Sequence, residues 1–201
     1  MKRLRMPIIV ITLLCSTALF SITGEEAVEK FSNRMRRIGK LTGVISWTSL
    51  DGQTYSGSFK YMSPDKVYVK FTSPTEKILV SNGKTLWIYS PGTNMCGIQE
   101  LAKGSSSGGI VGLVAGYNGI AAGNESGYTI KLKSDDKQYR EIILSVDGTY
   151  MLRGAIFKRE DGRIISFSLS DVSGKADVRE GLFNFKVPKG AQIVKNPMNI
   201  R

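Results

Sequence analysis

The stretch TEKILVSNGKTLWIYSP, Thr75 to Pro91, decides the fold. Asn82-Gly83 lies between two apolar runs, which is the strongest short-range signal for a β-hairpin. Counting outward from a two-residue turn sets Ser81 against Lys84, Val80 against Thr85, Leu79 against Leu86, Ile78 against Trp87 and Lys77 against Ile88. One face then carries Leu79, Leu86 and Ile88, and the other carries Ile78, Val80, Trp87 and Tyr89. Neither face is polar. Antiparallel hairpins ordinarily alternate apolar inward and polar outward, so two greasy faces demand either cover on both sides or a hollow that takes an apolar guest.

The same period of two extends in both directions. VISWTSLDGQTYSGSFKYM reads as two strands around Asp51-Gly52, KVYVKFTSP puts Val67, Val69 and Phe71 on one face, and a short strand covers Met95 to Leu101. Further on, YTIKLK, QYREIILSV, TYMLRGAIFKRE, RIISFSLSDV and LFNFKVP are strand-like, with turns at Asp147-Gly148 and Asp161-Gly162. The total of about ten or eleven strands in succession predicts one large antiparallel sheet. A sheet of that size curls. Ahead of it, Val28, Phe31, Met35 and Ile38 recur at helical spacing between Glu25 and Lys40, with acids at the start and Arg34, Arg36, Arg37 and Lys40 at the end. That predicts an amphipathic helix whose charges suit its dipole, and Thr23 with Glu26 could form its capping box. Between the strand groups lies KGSSSGGIVGLVAGYNGIAAGN, residues 103–124, in which Ile110, Leu113, Val114 and Tyr117 have helical spacing among many glycines. It reads either as a loosely held lid over apolar surface or as a loop with one short packed helix.

Lys2, Arg3 and Arg5 precede an apolar run from Ile8 to Phe20 that fades into SITGEE, the layout of a secretory signal. Residues 1–23 are therefore set aside as a leader and 24–201 as a single domain. The apolar run falls short of the roughly 20 residues a spanning helix needs. Cys15 follows Leu14 rather than a small residue and sits inside the run, so it reads as a passenger, leaving Cys96 alone in the domain with no disulfide partner. Losing the three leader cations lowers the net charge from +11 to +8. A secreted basic domain with no basic run interleaved with stacking aromatics is a poor nucleic-acid binder; anionic membrane surfaces or acidic proteins suit it better.

Catalysis finds little support. The chain has no histidine, the commonest general base and metal ligand, and Cys96 therefore lacks an activating partner. Gly83-Lys84-Thr85 imitates the end of a phosphate-binding loop, but Ile78 stands where the first glycine belongs. Asp135-Asp136 and Glu160-Asp161 are adjacent pairs whose side chains diverge on a strand, so neither makes a dyad or a metal cage. The expectation is a binding protein without cofactor or metal.

The hairpin, taken with LFNFKVPKGAQIV, resembles the periplasmic outer-membrane lipoprotein carriers, the LolA-like family, whose members read close to ILVSDGKTLWFYNP at the first place and end on F-x-F, a proline and a glycine. Phe183, Phe185, Pro188 and Gly190 supply that ending. The resemblance implies an α+β, mainly β fold: a curved antiparallel half-barrel closed by an N-terminal helix and a glycine-rich lid over an apolar cavity that holds the acyl chains of a lipoprotein. By family parity the cavity is lined by Val67, Val69, Phe71, Leu79, Leu86 and Ile88, with Ile110, Leu113 and Val114 from the lid. It further implies a periplasmic monomer that takes lipoproteins from an inner-membrane exporter to an outer-membrane acceptor. A lipid or glycolipid shuttle, or a lipid-sensing scaffold on the same fold, is the alternative. One departure stands out: the family's latch arginine precedes the proline at the start of a strand, and here Ser63 precedes Pro64. A serine cannot make that multi-donor latch.

Overall fold

The computed structural model describes residues 22–101, 114, 116–124, 126–175 and 177–196. Helix α1 (Gly24–Arg37) begins where the pattern puts it. Thr23 Oγ1 accepts the Glu26 N–H at 3.2 Å, the first turn holds Glu25 and Glu26, and the last holds Arg34, Arg36 and Arg37. Its apolar stripe buries Ala27, Phe31 and Met35.

Among the described residues twelve strands follow. They are β1 (Lys40–Thr48), β2 (Thr54–Met62), β3 (Lys66–Ser73), β4 (Lys77–Asn82), β5 (Thr85–Ser90), β6 (Met95–Glu100), β7 (Asn118–Asn124), β8 (Gly127–Lys133), β9 (Tyr139–Asp147), β10 (Leu152–Arg159), β11 (Ile164–Ser173) and β12 (Gln192–Lys195). All belong to one open sheet in the order β12-β6-β5-β4-β3-β2-β1-β11-β10-β9-β8-β7. The chain meanders outward from β1 to β6, crosses to the opposite edge at β7, and meanders back until β11 pairs with β1. Among the described residues only β12, which lies parallel to β6, breaks the antiparallel pattern. Between β6 and β7 the described residues are Leu101, Val114, Gly116 and Tyr117, so most of the glycine-rich segment read as a lid lies outside the described residues.

Three details differ from expectation. Asn118–Asn124, read as the end of a lid, is strand β7, paired with β8 from Asn118↔Lys133 to Asn124↔Gly127. Its glycines serve close packing: a Cβ on Gly119 would meet Leu132, the Gly24 carbonyl and Val28 at 3.1–3.3 Å, where α1 sits on this edge strand and covers it. LFNFKVP is not a strand. Glu180–Phe183 is a 3-10 turn, and β12 further on takes the place of that strand, so the count of twelve among the described residues comes from the added β7. Finally, the hairpin register is Leu79↔Ile88, Val80↔Trp87 and Ser81↔Leu86, two residues from the simple count. The Asn82 side-chain oxygen accepts the N–H groups of Lys84 and Thr85 at 2.9 and 2.8 Å, which moves the turn one residue along the chain. A shift of two keeps every side chain on its expected face.

Gly57 shows why the sheet bends where it does. The β2–β3 register shifts between Ser56 and Gly57, and a Cβ on Gly57 would lie 2.0 Å from the Lys70 carbonyl oxygen and 2.6 Å from the Phe71 Cα. Gly57→Ala therefore forces backbone apart in a central strand, and we expect roughly 1–3 kcal/mol of lost stability in urea unfolding. On the outward face of the other half, Glu141 lies between Lys158 at 2.5 Å and Lys131 at 2.9 Å, with its side chain 12% exposed. The ammonium groups of Lys158 and Lys131 hold its carboxyl down from 4.5 to about 2. A depressed carboxylate stabilises the fold above its unfolded value and loses that contribution as pH falls toward the folded one. Glu141→Gln should thus melt earlier than the parent near neutrality, with the gap closing as pH drops from 4.5 toward about 2 in thermal melts.

Candidate functional site

The register assigns each side of the sheet. Leu41, Ile45, Phe59, Val69 and Phe71 share the concave side with α1 and with Ile130, Leu132, Ile142, Leu144 and Phe157 from the returning meander, all in one buried cluster. Phe71 is buried between aromatic neighbours: its ring lies 6.5 Å edge-on from Trp47 and 5.7 Å from Tyr55. Lys77 closes this end, donating to Tyr55 Oη at 2.8 Å with Nζ 4.2 Å from the ring centroid.

The nine residues assigned to an acyl cavity divide in three ways. Val69 and Phe71 are buried at 3% and 6% exposure, and Val114, from the crossing segment, is buried at 1%; all three join the concave cluster. Val67 and Leu79 are half-buried and pack against it. Leu86 and Ile88 are half-buried on the same side, since Leu79 faces Ile88 and Ser81 faces Leu86, but they lie outside the cluster. Ile110 and Leu113 fall outside the described residues. The concave side is thus filled over β1, β2 and β8 to β10, while β3 to β5 leave apolar surface partly uncovered. Trp47, Tyr55, Phe59 and Tyr61 also belong to this side and were missed as candidates; extending the alternation from Val67 through the β2 register would have reached them.

The other hairpin face is covered by the chain's own end. Phe185 sets its ring 6.3 Å from Trp87 and 6.0 Å from Tyr89. Glu180 of the 3-10 turn pairs with Lys66 on β3. Under this cover Val80, Cys96, Val178 and Phe183 are buried apart from the concave cluster. Burial also pushes the Cys96 thiol up, away from the reactive thiolate. At Ser63, the N–H donates to the Gly39 carbonyl at 2.9 Å, tying the end of β2 to the link between α1 and β1, and Tyr61 Oη donates locally to the Pro64 carbonyl at 2.9 Å. A cleft of about 450 Å³ lined by Gly116, Asn118, Lys133, Ser134, Asp135 and Asp136 is polar and offers an acyl chain nothing.

A curved open sheet with a greasy hollow side and a self-covered back can be compared with known proteins. The family described as outer membrane lipoprotein carrier protein LolA matches residues 46–186, more than half of the chain. The chain belongs to that family. An outer-membrane lipoprotein carrier protein of Glaesserella parasuis is 25% identical over 184 residues, covering 87% of this chain and 88% of the relative. One from Shewanella sediminis is 26% identical over 152 residues, covering 73% of each. Among solved structures, an uncharacterised conserved protein of Thermus thermophilus superposes with a TM-score of 0.55 at 15% identity, covering 85% of this chain and 98% of that one. MucB in complex with periplasmic MucA gives 0.51 at 14% identity, covering 85% and 62%. At such identities these two likenesses are of fold alone.

If Phe185 is the cover over the back of the hairpin, Phe185→Ala should expose Trp87. In a Trp47→Phe background the emission of Trp87 should shift to the red and become more readily quenched by iodide, while the far-ultraviolet spectrum of the sheet stays unchanged.

Proposed function

We propose that this protein is a periplasmic carrier that shields the acyl chains of lipoproteins against the concave side of its sheet and moves them from the inner to the outer membrane. The observation that carries this reading is the half-buried apolar surface of Val67, Leu79, Leu86 and Ile88 on the hollow side of a family-typical sheet. The family match and the carrier names of the relatives at about a quarter identity support it. Each buried methylene contributes about 0.8 kcal/mol, so partial burial of one acyl chain gives reversible binding, which suits a carrier that must let go. The function needs binding and release rather than bond chemistry, in keeping with a chain without histidine. Residues 1–23 would direct export, and the crossing segment with Val114 would close over cargo, opening more readily with Ser63 in place of a latch arginine. The exporter that loads it and the acceptor that unloads it are the partners this cycle requires.

The test is release of a triacylated lipoprotein into the soluble fraction when the mature protein is incubated with exporter-bearing spheroplasts. Leu79→Glu and Ile88→Glu are the variants of choice, because both positions are half-buried and tolerate a charge better than the buried Val69. Release by the parent and at least about ten-fold less by each folded variant is expected, since a carboxylate in an acyl site costs well over 1.4 kcal/mol. Release unaffected by either variant would remove the concave side from the mechanism. Phospholipid or glycolipid co-purifying with a protein that releases no lipoprotein would favour the lipid-shuttle or sensor reading.

A further inference from the structure

The outward side of β7 to β11, opposite the concave cluster, mixes isoleucine with lysine. Across the strands, Ile120 pairs with Lys131, Lys131 with Ile143, Ile143 with Ile156, and Ile156 with Ser166. The next row runs Asn118, Lys133, Glu141, Lys158 and Ile164. Ile120 is 66% exposed, Ile164 47% and Ile156 37%. A single exposed isoleucine needs no account, but three on one face among three lysines form a patch. Glu141 is the one carboxylate in these two rows, and Lys131 and Lys158 both hold it, so the face keeps a positive excess to which Lys133 adds.

We propose that this outward face of β7 to β11 docks on an anionic lipid bilayer. Aliphatic tips can enter the acyl boundary while lysine stems lie along the surface and their ammonium groups stay among lipid phosphates. Charge complementarity with an anionic leaflet, acting on a domain of net +8 after loss of the leader's three cations, sets the orientation. An acidic protein fits less well. Protein interfaces concentrate tyrosine, tryptophan and arginine and exclude lysine, whereas these rows hold lysine and none of the three. The surface lies on the opposite side of the sheet from the proposed acyl site, so docking and acyl carriage can fail separately.

The experiment is co-sedimentation of the mature protein at low salt with sucrose-loaded vesicles of phosphatidylcholine, either pure or with one third phosphatidylglycerol. The parent should sediment with the anionic vesicles, not with the neutral ones, and added salt should release it. Lys133→Glu should weaken partitioning about ten-fold and Ile120→Glu by a similar factor, because each puts a like charge against the anionic surface. Both residues are exposed, and a thermal melt confirms that the variants are folded. Lys84→Glu, an equal change of charge on the exposed β4–β5 turn away from β7 to β11, should bind as the parent does. Equal binding to both vesicle types, or unchanged binding by Lys133→Glu and Ile120→Glu, would overturn the proposal. So would absence of vesicle binding by a protein whose Lys133 amide resonance still shifts with poly-L-glutamate, which would assign the face to an acidic protein.

Discussion

The structure depends on a hairpin that is apolar on both sides. β4 and β5 cannot leave either face in water without exposing Val80, Trp87 and Tyr89 on one side or Leu79, Leu86 and Ile88 on the other. The chain treats the two faces differently. Its C-terminal segment folds back over the first, with Phe185 against both aromatic rings and Val178 and Phe183 fully buried. The second faces the hollow of the sheet, where α1 covers β7 and β8 but makes its contacts far from β5. Self-coverage of the back thus leaves the front of β3 to β5 as the greasy surface that remains partly free.

Most of this was legible because alternation in a strand has a period of two. Moving the hairpin turn one residue along shifts every cross-strand partner by two and changes no face, so the error in register left the assignment of Leu79, Leu86 and Ile88 to one side intact. The helix was legible for a different reason: its cap, its charges and its apolar stripe all agree. What sequence could not give were the long-range pairings. NGIAAGN at 118–124 has no apolar alternation, and it becomes strand β7 because β8 supplies partners and its glycines allow α1 to approach. LFNFKVP alternates like a strand, yet Phe183 and Phe185 serve to cap the back of β4 and β5, and the parallel pairing of β12 with β6 leaves no local trace.

The candidate site was read more narrowly than it is built. Parity found the β3 to β5 contributions, but Trp47 and Tyr55 come from β1 and β2 and are tied to Phe71 by ring contacts that no single strand reveals, with Phe59 in the same buried cluster. The absent latch arginine has a counterpart in physical terms: backbone bonds at Ser63 and the Tyr61 hydroxyl fix the end of β2. A guanidinium brings several donors to such a place, and a serine brings one hydroxyl.

Neighbouring residues on β5 give the most direct test of which face meets cargo, because Trp87 and Ile88 are adjacent in sequence and opposite in direction. A photo-crosslinking amino acid at Ile88 and, separately, at Trp87, irradiated in the presence of a triacylated lipoprotein, reads the two faces with the same chemistry. Adducts from position 88 and few or none from position 87 are what a concave acyl site predicts. Adducts from position 87 alone, or equally from both, would contradict it, because cargo would then lie beneath the C-terminal cover or nowhere in particular on the sheet.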